Sequence, residues 1–286
     1  MVLWTNGGPG CTGILGLLTE HGPIRPYENG TLYMTPYSWN LVANMIYIEQ
    51  PTGVGFSYSK TESVYTMGDD IAAADMYTFI QGWLERFPEY RANDFHITSE
   101  SYGGHYMPKL AYHIVTHNPS VHSGSSRINF KGFAVGNPYT DAFSNKLGRI
   151  QRYMGDQLLP KPDWEKYLSV CGTRSLKNAN LAECHSREDA FDKLIGSLNH
   201  YALDFPTCTS TQGGWLLKEI GHNVAYEPCE THYAGLYMNR DDVKRALHAS
   251  ADIHWYACAH RAHYSSSDMD VSMVSMYNKL IDHVFR

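Results

Sequence analysis

Phe95-His-Ile-Thr-Ser-Glu-Ser-Tyr-Gly-Gly-His-Tyr-Met-Pro108 is the stretch that decides the fold. A β-prone apolar run enters Ser99-Glu100, and a helical pattern follows from about Pro108 or slightly before. The segment therefore reads as strand, sharp turn and helix, with Ser101 at the apex. A serine displayed as a nucleophile on such a turn needs small residues two before and two after it, because the tight backbone brings those positions together. Gly103 meets that need, and Ser99 stands where glycine is commonest. Taken alone, the pattern also describes an ordinary Gly-rich turn.

Upstream, Leu3-Trp4-Thr5-Asn6-Gly7-Gly8-Pro9-Gly10-Cys11 runs from a strand into a second Gly-rich loop, whose backbone N–H groups can turn toward a developing negative charge. No Lys-Ser/Thr pair follows, as a phosphate loop would require. Strands are expected at Met1–Trp4, Asn44–Glu49, Asp94–Thr98 and Ile128–Val135. A helix with Asp69-Asp70 at its start runs to Leu84. Strands alternating with crossover helices define an α/β class with a mostly parallel sheet. After Gly136-Asn137-Pro138 the alternation stops. Residues 1–140 read as the core with its first strands missing and 141–258 as a largely helical, disulfide-containing insertion. Residues 259–286 read as a helix, Met269 to His283, returning to a sheet whose final strands are missing. Both ends look cut, because apolar core elements reach Met1 and Arg286.

The 286 residues are 43% hydrophobic and 18% charged, which supplies a packed core. A net charge of −6 gives no basic excess for a phosphate backbone, so nucleic acid is excluded as a partner. No apolar run is long enough to span a membrane, and Met1-Val-Leu-Trp-Thr5 is too short and uncharged for a signal peptide. The six cysteines, at 11, 171, 184, 208, 229 and 258, allow fifteen pairings. Disulfides fit them better than a zinc site on Cys184-His185, whose ligands would be too scattered; reduced buried thiols stay open. No metal and no cofactor are expected. Asn29-Gly30-Thr31 is the one acceptor sequon, since Pro119 disqualifies Asn118. With the cysteines it points to the secretory pathway, in a lysosome or vacuole or outside the cell.

The chain resembles the serine carboxypeptidase family of α/β-hydrolases. The resemblance rests on Trp4-x-Asn-Gly-Gly-Pro-Gly-Cys11, Trp39-Asn40, Gln50-Pro51-x-Gly-Val-Gly-Phe-Ser-Tyr58, Glu100-Ser-Tyr-Gly-Gly-His-Tyr-x-Pro108 and Gly136-Asn-Pro138, in that order. It covers residues 1 to about 140 well, the insertion only in outline, and returns around Trp255-x-x-Cys258. It implies an α/β-hydrolase fold and Ser101 as the acylated nucleophile, with the N–H groups of Gly8 and Tyr102 as oxyanion donors. It makes Asn6, Glu20 and Glu100 the grip on a substrate's C-terminal carboxylate, supported by Trp4. The disulfides it implies are Cys11–Cys258, Cys171–Cys184 and Cys208–Cys229. The implied partner is a peptide with a free C-terminus, and a homodimer is an option. Clustered carboxyl groups facing an anion cannot all ionise, so raised pKa values and activity in acid are expected.

A base for Ser101 and a carboxylate to orient it should follow in the chain. Asp268 and Asp270 read as helix caps, and Asp282, His263 and His283 lie in unsuitable places. His105 matches a structural position of the motif. The resemblance puts the catalytic Asp and His beyond Arg286, so this chain should be nearly inactive alone. Rival readings are an acyltransferase that delivers the acyl group to an alcohol, and a non-catalytic binding or protective protein.

Overall fold

The computed structural model describes residues 1–118, 127–172, 181–208 and 228–284. Eight strands occur among them: β1 (Val2–Thr5), β2 (Ile24–Pro26), β3 (Leu32–Met34), β4 (Met45–Tyr47), β5 (Thr66–Met67), β6 (Phe95–Glu100), β7 (Phe130–Gly136) and β8 (His263–Tyr264). Four form a parallel sheet in the order β4-β1-β6-β7. The four strands expected from sequence are these, displaced by one or two residues at their ends. Leu3 and Ile97 are wholly buried at the sheet's centre, where continuous apolar runs suit strands covered on both faces. The pairs β2–β3 and β5–β8 were not anticipated; two or three residues each leave no readable period.

From central β1 the chain moves to β4 on one side and then crosses to β6 on the other. The sheet's direction of growth therefore reverses between β1 and β6, the place where α/β sheets open a crevice beyond their strand ends. The loops that follow β1 and β6 are the two Gly-rich loops read from the sequence.

Helices α1 (Asp69–Arg86) and α2 (Gly103–His117) pack together, and α2 lies against β6 and β7. Ala72, Ala73, Met76, Ile80 and Leu84 of α1 recur at helical spacing, and with Met107, Leu110, Ala111 and Ile114 of α2 they build the core. Helix α2 starts at Gly103, five residues before Pro108. The two glycines and the proline disguise it as a loop, but tertiary packing outweighs their poor propensity.

The chain divides into two compact units, Met1–Thr140 with Glu230–Arg286, and Asp141–Cys229. The second unit holds α3 (Ala142–Gly155), α4 (Lys161–Cys171) and α5 (Leu181–Ile195) around Ile150, Tyr153, Tyr167 and Phe191, with the Cys171–Cys184 disulfide joining α4 to α5. Cys208 pairs with Cys229. Residues 230–258, read from sequence as part of the insertion, belong instead to the first unit. Their helices α6 (Glu230–Met238) and α7 (Asp241–Ala246) place Ala234, Met238 and Val243 with Trp255 and Leu18 in one apolar cluster. The return helix, α8, spans Val274–Val284 and packs on α2, burying Leu280. It starts five residues later than read, because Ser266–Met269 forms a separate turn.

Candidate active site

β6 delivers Ser101 into a left-handed backbone conformation, φ 54°, immediately before α2. A non-glycine residue is strained there and persists only if its surroundings hold it. The Ser101 N–H donates to Gly136 O at 3.0 Å, and its carbonyl accepts from Tyr139 N at 2.7 Å and Gly104 N at 3.0 Å. The small neighbours are required by contact: a Cβ on Gly103 would run into the Ser99 side chain. A Cβ on Gly7 would lie 2.5 Å from Tyr102 N and 2.6 Å from Glu100 O, so the Gly-rich loop after β1 rests directly on the turn.

That loop is tied down at several points. Cys11 N donates to Gly7 O at 3.0 Å, Gly10 N to Tyr106 Oη at 3.2 Å, and Ala259 N to Gly10 O at 2.8 Å. The Cys11–Cys258 disulfide joins the same two segments. Gly8 has φ +115°, which a side chain rarely adopts. Among the described residues, neither the Gly8 nor the Tyr102 N–H has an acceptor. Glu49 anchors the loop's far end, accepting from Thr12 Oγ1 (2.7 Å), Trp255 Nε1 (2.8 Å) and Phe56 N (2.7 Å). Burial raises its carboxyl above the usual range, against the pull of those donors.

Asn6, at the end of β1, is 1% exposed and gathers the remaining predicted residues. Its Nδ2 donates to Glu20 Oε1 at 2.9 Å and Glu100 Oε1 at 2.7 Å, while its Oδ1 accepts from Trp4 Nε1 at 2.8 Å and Gly16 N at 3.1 Å. The Trp4 indole thus dictates which end of the amide faces the two acids. Burial first, and Glu100 second, push Glu20 up to about 7, with Asn6 and Arg25 opposing. Burial likewise raises Glu100. Sequence reading missed the support behind this group. The His21 ring stacks on Trp39 at 4.2 Å, meets Trp4 edge-on at 4.2 Å, and is lowered to about 4 by burial and then by Arg25.

Two other predicted positions serve differently from their sequence reading. Asp268 does not cap its own turn; its Oδ2 accepts from Asp69 N at 2.8 Å, at the start of α1. Asp69, in turn, does not act as an N-cap. Its side chain turns inward to His105, Tyr102 and Tyr264, and a doubled Asp at a helix start gives no sign of that. Asp270 ends the Ser266–Met269 turn, His263 and Asp282 are exposed, and the His283 side chain lies outside the described residues. No histidine among the described residues hydrogen-bonds the Ser101 hydroxyl; His105 is wholly buried with Nδ1 on Asp69. Asn29 is exposed between β2 and β3. A cavity of about 820 Å³ beside β4, lined by Gln50, Phe56, Asp75 and Phe79, includes none of these residues.

The sequence profile of the family described as "Serine carboxypeptidase" matches residues 1–286. Among curated relatives, "Serine carboxypeptidase-like 26" and "Serine carboxypeptidase-like 29" of Arabidopsis thaliana are each 36% identical over 293 residues. The alignments cover 98% of this chain and 63% and 60% of the relatives, so the chain spans about three fifths of their length. The structure of Kex1(delta)p, a prohormone-processing carboxypeptidase from Saccharomyces cerevisiae, superposes with a TM-score of 0.80 at 22% identity. It covers 98% of this chain and 62% of that one, which establishes a common fold. With the Gly-rich loop laid on the serine turn and the whole length matched by one profile, the chain belongs to the serine carboxypeptidase family.

Proposed function

We propose that the protein carrying this chain is a serine-type carboxypeptidase that releases C-terminal residues from peptides in acid. The observation that carries this reading is the Asn6 amide, which donates to both Glu20 and Glu100. An esterase needs no such group, whereas a peptidase that recognises a free C-terminus needs hydrogen-bond donors for a carboxylate. Glu20 and Glu100 become donors when protonated, and burial favours that form in both. A peptide's terminal carboxyl ionises at about pH 3.5. Ionised substrate and protonated grip therefore coexist between roughly pH 4 and the Glu20 value of about 7.

In this reading Ser101 Oγ attacks the last peptide carbonyl, the oxyanion takes hydrogen bonds from the Gly8 and Tyr102 N–H groups, and the leaving residue is held at Asn6. No histidine among the described residues bonds the Ser101 hydroxyl, so this reading takes the base and its carboxylate partner from elsewhere in the full-length protein. Six disulfide-bonded cysteines and the proposed activity in acid support a lysosome or vacuole, or the outside of the cell, as the protein's location, with Asn29 as the site proposed for a glycan. Among the described residues no helix is long and apolar enough to cross a membrane.

The test is amino-acid release from an N-blocked dipeptide at pH 5, by this chain and by the full-length protein. The full-length protein should cleave it, should not cleave the C-terminally amidated analogue, and should lose activity with Ser101→Ala. No cleavage by a folded full-length protein, or acyl transfer to an added alcohol in preference to water, overturns the peptidase reading. Full activity in the 286-residue chain overturns the placement of the base.

A further inference from the structure

Beside the nucleophile turn lies a buried polar cluster whose side chains take no part in the chemistry above. Asp69 is 3% exposed. Its Oδ1 accepts from Tyr102 Oη at 3.0 Å and Tyr264 Oη at 2.7 Å, and its Oδ2 from His105 Nδ1 at 2.8 Å. A carboxylate this far from water is tolerated only when its lone pairs are filled. Burial pushes Asp69 up, but the bonds from His105, Tyr264 and Tyr102 outweigh it and hold the carboxyl below its usual range. His105 is wholly buried and, among the described residues, its Nε2 has no partner and the Asp69 bond is the one hydrogen bond orienting its ring. That ring stacks on Tyr102 at 4.5 Å and on Tyr139 at 5.8 Å. Tyr139 N in turn donates to the Ser101 carbonyl.

The carboxylate is thus connected to both sides of the turn. One connection is the Tyr102 hydroxyl, and the other runs through the His105 ring to Tyr139. The turn needs such support, because Tyr102 is followed by two glycines, the residues with the least conformational preference of their own. An oxyanion donor is effective only when it is already aimed and does not reorient as charge develops.

We propose that Asp69 is a positioning residue for acylation: through Tyr102 and His105 it fixes the backbone of residues 101 and 102, and with it the Ser101 hydroxyl and the Tyr102 N–H. The inference rests on the reading of Ser101 as nucleophile and Tyr102 as oxyanion donor. Asp69 itself touches no substrate. Its effect belongs in the rate of acyl-enzyme formation, not in the affinity for a C-terminal carboxylate.

The experiment measures the burst of p-nitrophenol from an activated ester, the KM for a blocked dipeptide, and the melting temperature. It uses the full-length protein and its Asp69→Asn, Tyr102→Phe and doubly substituted forms. Asp69→Asn keeps the shape but turns a donor toward His105. A misplaced reacting geometry costs up to about 100-fold in rate, so acylation should slow by about 10- to 100-fold with KM within about twofold. Tyr102→Phe alone should slow acylation less than Asp69→Asn does, since the His105 connection remains, and Asp69→Asn should cost less in its background, since the two share the Tyr102 contact. A fall in melting temperature with unchanged acylation per folded molecule, or losses that simply multiply, would show a merely structural Asp69 and overturn the proposal. Should Asp69→Asn fail to fold, Tyr102→Phe must by itself slow the burst with KM unchanged, and an unaltered burst overturns the proposal. Because the burst counts acyl-enzyme, it reads the same whether water or an alcohol is the acceptor. A wild-type protein without any burst overturns the nucleophile reading together with this one, whereas a normal wild-type burst unaffected by Asp69→Asn overturns this one alone.

Discussion

In the proposed function Glu20 carries two opposite demands, since it accepts from Asn6 and would also offer a proton to an incoming anion. Its folded-state value of about 7 lies above the ordinary 4.5, so folding favours its protonated form. The stability that follows is present in full below about pH 4.5 and is lost as pH rises through 7. A shift of this size corresponds to a cost on the order of 3 kcal/mol at alkaline pH. Glu20→Gln keeps the size and the hydrogen-bonding side chain but cannot ionise. Relative to wild type, its melting temperature should therefore gain steadily between pH 5 and pH 8, and its binding of a blocked dipeptide should weaken less across that range. Thermal scans of both proteins at several pH values check this, the weakening of binding that remains being that of Glu100; parallel curves would show that Glu20 ionises without constraint. At this scale the sequence was informative where chemistry dictates a residue's size. Ser99 and Gly103 flank Ser101 because their neighbours leave no room. It was silent on Asp69 and His21, whose importance lies in what long-range folding brings beside them.

Elements were legible to the extent that their signals are local. The period of α1, with Ala72, Met76, Ile80 and Leu84 turned one way, announces a helix without any knowledge of its partner. Helix α2 announces itself late, because Gly103 and Gly104 look like loop residues. Both are small for a tertiary reason: a side chain on Gly103 would strike Ser99, and one on Gly104 would strike the Tyr139 carbonyl. Gly103→Ala tests which influence governs. If helix propensity did, alanine would stabilise α2 by up to about 1 kcal/mol. Since contact governs, the variant should lose about 1–3 kcal/mol in denaturant unfolding, and a fluorophosphonate should label Ser101 more slowly. A gain in stability would mean that the strand-to-helix turn yields without resistance.

At the scale of the whole molecule, what the sequence concealed is the grouping of segments far apart in the chain. Residues 230–258 carry one cysteine, one glycine and no strand, so locally they resemble the helical insertion. Their apolar side chains nevertheless complete a cluster with Leu18, more than two hundred positions earlier, and no local period encodes such a contact. The Cys11–Cys258 disulfide closes the same long loop, its ends at a sequence separation of 247. Cross-linking over so long a loop removes much unfolded-chain entropy, and losing a native disulfide costs about 2–5 kcal/mol. The bond has a local effect too, because Cys11 directly follows the loop bearing the Gly8 N–H. Ala259 N to Gly10 O and Thr12 N to Ala257 O continue to join the two segments without it. The Cys11→Ser/Cys258→Ser protein should therefore keep its far-ultraviolet circular dichroism while unfolding at lower denaturant by an amount within that range. Ser101 should also label more slowly at denaturant concentrations where both proteins remain folded, since the loop proposed to bear the oxyanion donor is then held by hydrogen bonds alone. An unchanged unfolding midpoint would show that these backbone bonds and the Leu18–Trp255 cluster already determine how the segments meet, leaving the covalent link redundant.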